Sequence, residues 1–191
     1  NPYKDALLKA TQFVGYLSDP EDIVPDNSMG LNEIFELIRT TNDEYLKVQA
    51  KQDTLKKKRE EKEAKQRVIE PFRPLNGDLG AVMNYKYIAY RFGKLPAEQY
   101  QKLEKYLLHD LEAIFVKGEQ DDNFVYGAYF AAPAKVQKAD AVFRSLHFER
   151  IEIPPDYQGT PDEACRKLTQ EIFEIQKEMT DLDRQTEEML V

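Results

Sequence analysis

The sequence predicts an α+β protein: a ferredoxin-like βαββαβ lobe carried on a long antiparallel two-helix coiled coil. Three observations lead there. Seam residues recur at alternating spacings of three and four for about forty residues from Leu31, and again from Leu168 to Met189. Between these stretches, strand-like and helix-like segments follow one another in the order β-α-β-β-α-β. Charged residues make up 32% of the 191, a polarity that suits long solvent-washed helices better than one compact globule.

Taken in order, Ala6, Leu7, Ala10, Phe13, Val14 and Leu17 share one helical face, which predicts a helix over 6–17. Asp19-Pro20 ends it, because proline lacks a donor and restricts the residue before it. Residues 20–30 hold two prolines, Asn27, Ser28 and Gly30 and read as a loop. The helix is expected to fold back on the start of the next one, around Leu31 to Ile38.

The first coil arm has Leu31, Ile34, Ile38, Thr41, Tyr45, Val48, Gln52, Leu55, Arg59, Lys62, Gln66 and Ile69 along one edge. No proline or glycine interrupts it before Pro71, so the helix would be roughly 60 Å long. Its middle, from Lys56 to Lys62, is wholly polar, which weakens the seam there. In the lobe, Tyr85–Phe92, Ala113–Val116, Phe124–Ala131 and Phe148–Ile153 read as strands. Pro96–Leu108 is a helix with Tyr100, Leu103 and Leu107 on one face. Pro133 opens another with Val136, Ala139, Val142, Phe143 and Leu146. Gly77-Asp78-Leu79-Gly80 reads as a turn.

Thr160-Pro161-Asp162-Glu163 then starts the second arm: threonine caps the amide of Glu163, and proline suits the first helical position. Leu168, Ile172, Ile175, Met179, Leu182, Thr186 and Met189 follow at four-three spacing. The expected domains are 1–30, a helix and loop on the stalk; 31–70, the first arm; 71–159, the lobe; and 160–191, the second arm. The second arm carries nine acidic and four basic residues against nine and ten on the first, so the two suit pairing with each other.

This order carries a geometric expectation. Both arms leave the same end of the sheet and run antiparallel, as a small head on a two-helix stalk, with Leu55 near Ile175 and Val48 near Leu182. The far tip of the head is then Gly93-Lys94-Leu95, the hairpin from Gly118 to Asn123, and Leu146-His147.

Little here points to catalysis. The net charge of −8 argues against a nucleic-acid binder. The aromatic strands invite comparison with base-stacking sheets, but residues 84–153 carry ten basic and ten acidic side chains, and the basic residue and glycine that open the usual third-strand motif are missing. An acylphosphatase-like enzyme needs an anion-holding arginine loop where Gly93-Lys94-Leu95-Pro96 stands. Gly77 to Gly80 lacks the third glycine and the lysine of the nucleotide motifs. His109 and His147 are the only histidines and have no partner at zinc-ligand spacing. Glu119, Asp121 and Asp122 lack calcium-loop spacing and read as a solvated hairpin tip. Cys165 continues the second seam and reads as a half-buried helix residue; alone, it makes no internal disulfide, so the chain reads as intracellular. No signal peptide is visible and no apolar run approaches the ~20 residues of a membrane span. Long exposed heptads therefore suggest a spacer or strut, with no catalytic, cofactor or metal site.

Several stretches in this order resemble a known family. Ile69-Glu70-Pro71-Phe72 closing a long helix, then Leu75-Asn76-Gly77-Asp78-Leu79, is similar to the helix exit of subunit I of the rotary V/A-type ATPases (subunit a in eukaryotes). Gly93-Lys94-Leu95-Pro96-Ala97-Glu98, Ala113-Ile114-Phe115-Val116, Tyr126-Gly127-Ala128-Tyr129-Phe130, Phe148 to Pro154 and Gly159 to Ala164 resemble it too. The resemblance covers 31–191, and its compact loops look like bacterial or archaeal members; residues 1–30 match loosely.

The resemblance implies the cytoplasmic coiled coil and distal lobe of a stator subunit, which links the membrane ion-translocating part to the peripheral stalks during ATP-coupled proton or sodium transport. The implied partners are peripheral-stalk subunits of the E/G type, and the membrane through a C-terminal half not in this sequence. A start at Asn1 and the lack of a membrane segment fit a piece cut from a membrane protein. No nucleic acid or small-molecule substrate is expected, and the piece itself is expected to be soluble at the cytoplasmic face. The ion-conducting arginine of the family belongs to the membrane half and maps to no residue here. Lys94, Glu119, Asp121 and Asp122 at the tip are the candidate stalk contacts; Ile38, Tyr45, Val48, Leu55, Leu168, Ile172, Ile175, Met179 and Leu182 are the candidate seam. The alternative is a cytosolic coiled-coil adaptor with a ferredoxin-like protein- or ligand-binding head. Several apolar segments beyond Val191 favour the first reading, and a nearby stop codon the second.

Overall fold

The structure, a computed structural model, describes residues 30–108 and 111–189. The helix expected over 6–17, its fold-back, the loop that follows and His109 lie outside the described residues. Among the described residues the protein is α+β, with one four-stranded antiparallel sheet and two long helices.

The elements are α1 (Leu31–Ile69), a 3-10 turn (Glu70–Phe72), α2 (Leu79–Asn84), β1 (Ala89–Pro96), α3 (Ala97–Leu108), β2 (Ala113–Gln120), β3 (Phe124–Ala131), α4 (Val136–Ser145), β4 (Glu149–Arg150) and α5 (Pro161–Met189). The sheet order is β2-β3-β1-β4, and every neighbouring pair is antiparallel. The chain divides into two compact units. One is residues 60–173; the other holds the described residues up to Arg59 together with those from Glu174.

In the unit 60–173 Ile114 and Val116 of the edge strand β2 are exposed, while the central strands of the sheet, β1 and β3, are covered on both faces. On one, Leu95, Val125, Tyr129 and Ala131 pack with Leu103 of α3 and with Ala139 and Phe143 of α4. The Tyr129 and Phe143 rings stack at 3.8 Å. On the other, Phe92 and Ala128 meet Phe72, Leu75 and Leu79, and the helix roots Ile69, Ala164, Cys165 and Leu168. Phe72 presses edge-on against the rings of Phe92 (5.3 Å) and Tyr126 (6.2 Å). Two buried faces explain why β3 reads as a nearly unbroken apolar run, where a one-sided strand alternates.

The roots of the long helices are tied by polar contacts within this unit. Arg73 bonds Asp162 through Nε (2.9 Å) and Nη2 (2.8 Å). Lys62 pairs with Glu171 (2.6 Å) and Gln66 with Thr169 (2.6 Å). The Tyr157 hydroxyl donates to the carbonyl of Lys65 (2.6 Å), and Lys65 also pairs with Asp156. The Thr160 hydroxyl accepts from the Glu163 amide at 3.2 Å, the expected cap of α5.

In the other unit Val48, Ile175 and Leu182 are buried. Gln52 donates to the Met179 carbonyl (2.9 Å) and to Asp183 (2.7 Å), and Arg59 donates to Gln176 (2.6 Å). Numbers rise on one helix as they fall on the other, so the pair is antiparallel. The register differs from expectation by about one turn: Leu55 stands level with the 179 turn, and shares a hollow with Leu182. The physical reason is that polar side chains set the alignment, and the sequence count treated the Lys56–Lys62 stretch as featureless. Inside the seam a polar residue that finds a partner in only one register specifies that register.

Several element boundaries also differ, among them the start of α4, which is Val136 and not Pro133. β1 begins at Ala89 and not at Tyr85, and it includes Gly93 to Pro96, which were expected at a loop tip. The stretch Tyr85 to Phe92 favours strand throughout, so pattern alone does not fix its ends. The glycine there is not a turn: a Cβ at Gly93 would lie 2.2 Å from the Glu149 carbonyl and 2.5 Å from the Phe148 ring. β2 runs on to Gln120. β4 is only two residues long, and Ile151 and Ile153 after it pack against the cluster that holds Phe72. Residues 79–84, beyond the expected turn, form α2, which is capped by the Asp78 carboxylate accepting from Ala81 N (2.8 Å).

Candidate functional site

The tip residues do come together in part. β1 ends where β3 begins, with Pro96 opposite Phe124. Lys94 faces Tyr126 across one edge of β1 and Glu149 across the other. Its ammonium lies 4.1 Å from the centre of the Phe124 ring and 3.8 Å from the Glu149 carboxylate.

Asp121 closes the β2–β3 hairpin. One carboxylate oxygen accepts from the amides of Asn123 (2.8 Å) and Phe124 (2.7 Å), while the Asp121 amide donates to the Phe124 carbonyl (3.0 Å). The amides of Phe124 and Asn123 hold this carboxyl below its usual range against the effect of burial, and the Lys94 ammonium adds to the lowering. The Asn123 carbonyl in turn accepts from Ala97 (2.9 Å), anchoring the hairpin to the start of α3.

Glu119 and Asp122 are exposed, and Glu119 lies in the irregular stretch of β2 between Lys117 and Gln120. The structure thus fixes Lys94 and Asp121 in one network with Phe124 and Glu149, and leaves Glu119 and Asp122 directed by the hairpin alone.

Of the candidate seam residues, Val48, Leu168, Ile175 and Leu182 are buried, and Ile38, Tyr45, Leu55, Ile172 and Met179 are half-buried. Cys165 is buried, deeper than its sequence position suggested. Burial, then the neighbouring Glu70 carboxylate, pushes its thiol up to about 12, far from a nucleophile's range. His147 follows α4 with a positive φ of 61°. Among the described residues no group of three or more His, Cys, Asp or Glu is placed to hold a metal ion. None of the described helices is long and apolar enough to cross a membrane. The aromatic sheet face compared above with base-stacking sheets is occupied at its centre by Phe72.

Sequence reasoning missed one cluster. Asp140 on α4 accepts from the Tyr129 hydroxyl (2.5 Å) and pairs with Arg150 (3.1 Å) and Arg91 (3.5 Å). Its side chain is only 13% exposed. Burial, and then Asp140 itself, raise the Tyr129 hydroxyl well above its ordinary range. The four residues come from β1, β3, α4 and β4, so no spacing in the sequence announces them.

No protein-family model matches this chain, and no curated protein matches it. Among solved structures it is similar to the crystal structure of the cytoplasmic N-terminal domain of subunit I, homolog of subunit a, of V-ATPase. The likeness has a TM-score of 0.48 at 16% sequence identity; it covers 99% of this chain and 65% of that one.

Proposed function

We propose that this chain is a stator segment of a rotary V/A-type ATPase: the cytoplasmic coiled coil and distal lobe of subunit I, tying the membrane ion-translocating part to the peripheral stalks during ATP-coupled proton or sodium transport. In this reading the lobe is ferredoxin-like and α1 with α5 forms a coiled coil. The observation that carries it is the direct antiparallel pairing of two helices of 39 and 29 residues through side chains from both. The ordered resemblance of residues 31–191 to subunit I supports it from the sequence side.

The physics suits the role. A 39-residue helix is about 58 Å long. Two helices locked side by side resist bending more than one helix does, and far more than a flexible linker. The Gln52 and Arg59 bonds oppose sliding of one helix along the other, which is what a strut under torque must prevent. The role is mechanical and non-catalytic, performed at the cytoplasmic face of the membrane, with peripheral-stalk subunits of the E/G type as partners. Their contact is the tip formed by Lys94, Glu119, Asp121 and Asp122.

The test is titration calorimetry against purified peripheral-stalk heterodimer. Reversing the charges of Lys94, Glu119 and Asp122 together is expected to weaken binding by roughly tenfold or more. Unchanged affinity removes the tip as the contact, and no binding by the unaltered chain removes the stator reading.

A further inference from the structure

The sheet opens between β1 and the segment after β4. Ile151 N still donates to the Phe92 carbonyl (2.8 Å). The ladder proper spans only Gly93 and Lys94 against Arg150 and Glu149, and Ile151 and Ile153 beyond it pack against the cluster that holds Phe72. A groove of about 420 Å³ remains, lined by residues 88–92 on one side and 150–153 on the other.

Three features of the groove point to one kind of occupant. The first is backbone. Tyr90 is two residues from Phe92, so its peptide groups on the groove side point the same way as the carbonyl that Ile151 uses. Among the described residues no strand reaches Tyr90 there; its carbonyl accepts instead from the side chain of Arg91 (2.9 Å). The second is charge. Among the lining residues Arg91 and Arg150 are basic and Glu152 alone is acidic. Asp140, beneath the lining, fixes both guanidinium groups, yet the buried Nε of Arg91 makes no hydrogen bond. The third is apolar surface: Ile88 is 42% exposed, and Ile151 and Ile153 are half-buried beside it.

We propose that this groove binds an extended acidic segment of another protein. The segment adds as a short strand to β1 at Tyr90. One carboxylate of the segment meets Arg150 and Arg91, and β-branched residues beside it cover Ile88 and Ile153. The Arg91 side chain that now covers the Tyr90 carbonyl swings to the incoming carboxylate. The inference does not depend on the stator reading.

A displayed library of random dodecapeptides, panned against the 191-residue protein, tests it. Peptides with aspartate or glutamate flanked by valine, isoleucine or threonine are expected to be enriched. A synthetic copy of an enriched peptide should shift the amide resonances of residues 88–92 and 150–153. Its affinity should fall roughly tenfold with Arg150→Gln, and equally when its own carboxylate is made an amide. Methylating the peptide nitrogen that faces Tyr90 should abolish binding, a result that needs no variant of the protein. Lys117→Gln, on β2 at the opposite edge of the sheet, should leave the affinity unchanged. Enrichment of basic or helical peptides, shifts elsewhere on the surface, equal binding to Arg150→Gln, or no enrichment at all would overturn the proposal.

Discussion

Gly93 and Gly127 stand opposite each other on β1 and β3, each where an aromatic ring and a backbone carbonyl take the space of the missing side chain. Phe148 and the Glu149 carbonyl crowd Gly93; Phe115 and the Val116 carbonyl crowd Gly127. A carbonyl in a paired strand has little room to yield. Gly93→Ala and Gly127→Ala are therefore each expected to lower the urea unfolding free energy by about 2–3 kcal/mol. Gly77→Ala, whose new carbon would meet only Val82 at an ordinary 3.6 Å, is the control and should change stability little.

Asp140 is expected to matter more than either arginine it holds. Asp140→Ala leaves the Tyr129 hydroxyl without its acceptor and the half-buried Arg91 without its ion-pair partner, and should cost about 3 kcal/mol. Arg150, half exposed at its side chain, should cost under about 1 kcal/mol when changed to glutamine. Chemical denaturation of both variants beside the parent measures the difference.

The Asp121 carboxyl supplies a pH dependence whose sign is fixed. Its folded value lies below the ordinary one of ~4, so its contribution is present above that value and is lost as pH falls through the folded one. Asp121→Asn keeps an oxygen to accept from Asn123 and Phe124 but loses the charge. The variant should be less stable than the parent at pH 7, and the gap should close as pH falls below ~4. A gap that stays constant over that window would falsify the assignment. Asp156, lowered chiefly by Lys65, follows the same sign.

Cys165 should be silent to a thiol reagent at pH 8 in the folded protein, since it is buried and burial pushes its thiol up to about 12. Labelling should appear only as urea opens the unit, at a rate that tracks unfolding. Rapid labelling without denaturant would contradict the packing of α5 against Ile69 and Phe72.

Gln52 tests how the helices find their alignment. Gln52→Leu removes a polar group whose Oε1 is buried without a hydrogen bond. The change should raise the thermal midpoint while weakening the preference for one register. Leu182→Ala, at a buried position, should cost about 2–3 kcal/mol. Melting curves and a cross-link between cysteines placed at 59 and 176, which face each other across the two helices, read the two effects separately.

Helices, strand order and the helix cap at Thr160 were legible because each rests on local chemistry: apolar period, proline position, a hydroxyl three residues before an amide. The start of β1 was not, since Tyr85 to Tyr90 favour strand equally and only cross-strand partners choose among them. The alignment of α1 with α5 was hidden for a related reason: a seam of Gln, Arg and Lys carries no apolar signal, yet those side chains make the cross-links. At the tip, the nearness of Lys94 and Asp121 followed from topology. The Asp140 cluster drew one residue from each of four elements and had no linear trace.

The buried core beside Phe72 is built partly from Ile69, Ala164, Cys165 and Leu168, which belong to the long helices. An expression boundary drawn at the ends of the sheet region would strip one wall from that core and leave Phe92, Tyr126 and Ala128 facing water. The first turns of α5 and the last turns of α1 are thus part of the lobe's cooperative folding unit. In hydrogen exchange their amides should open together with those of β1 and β3, as one block with a shared free energy of opening.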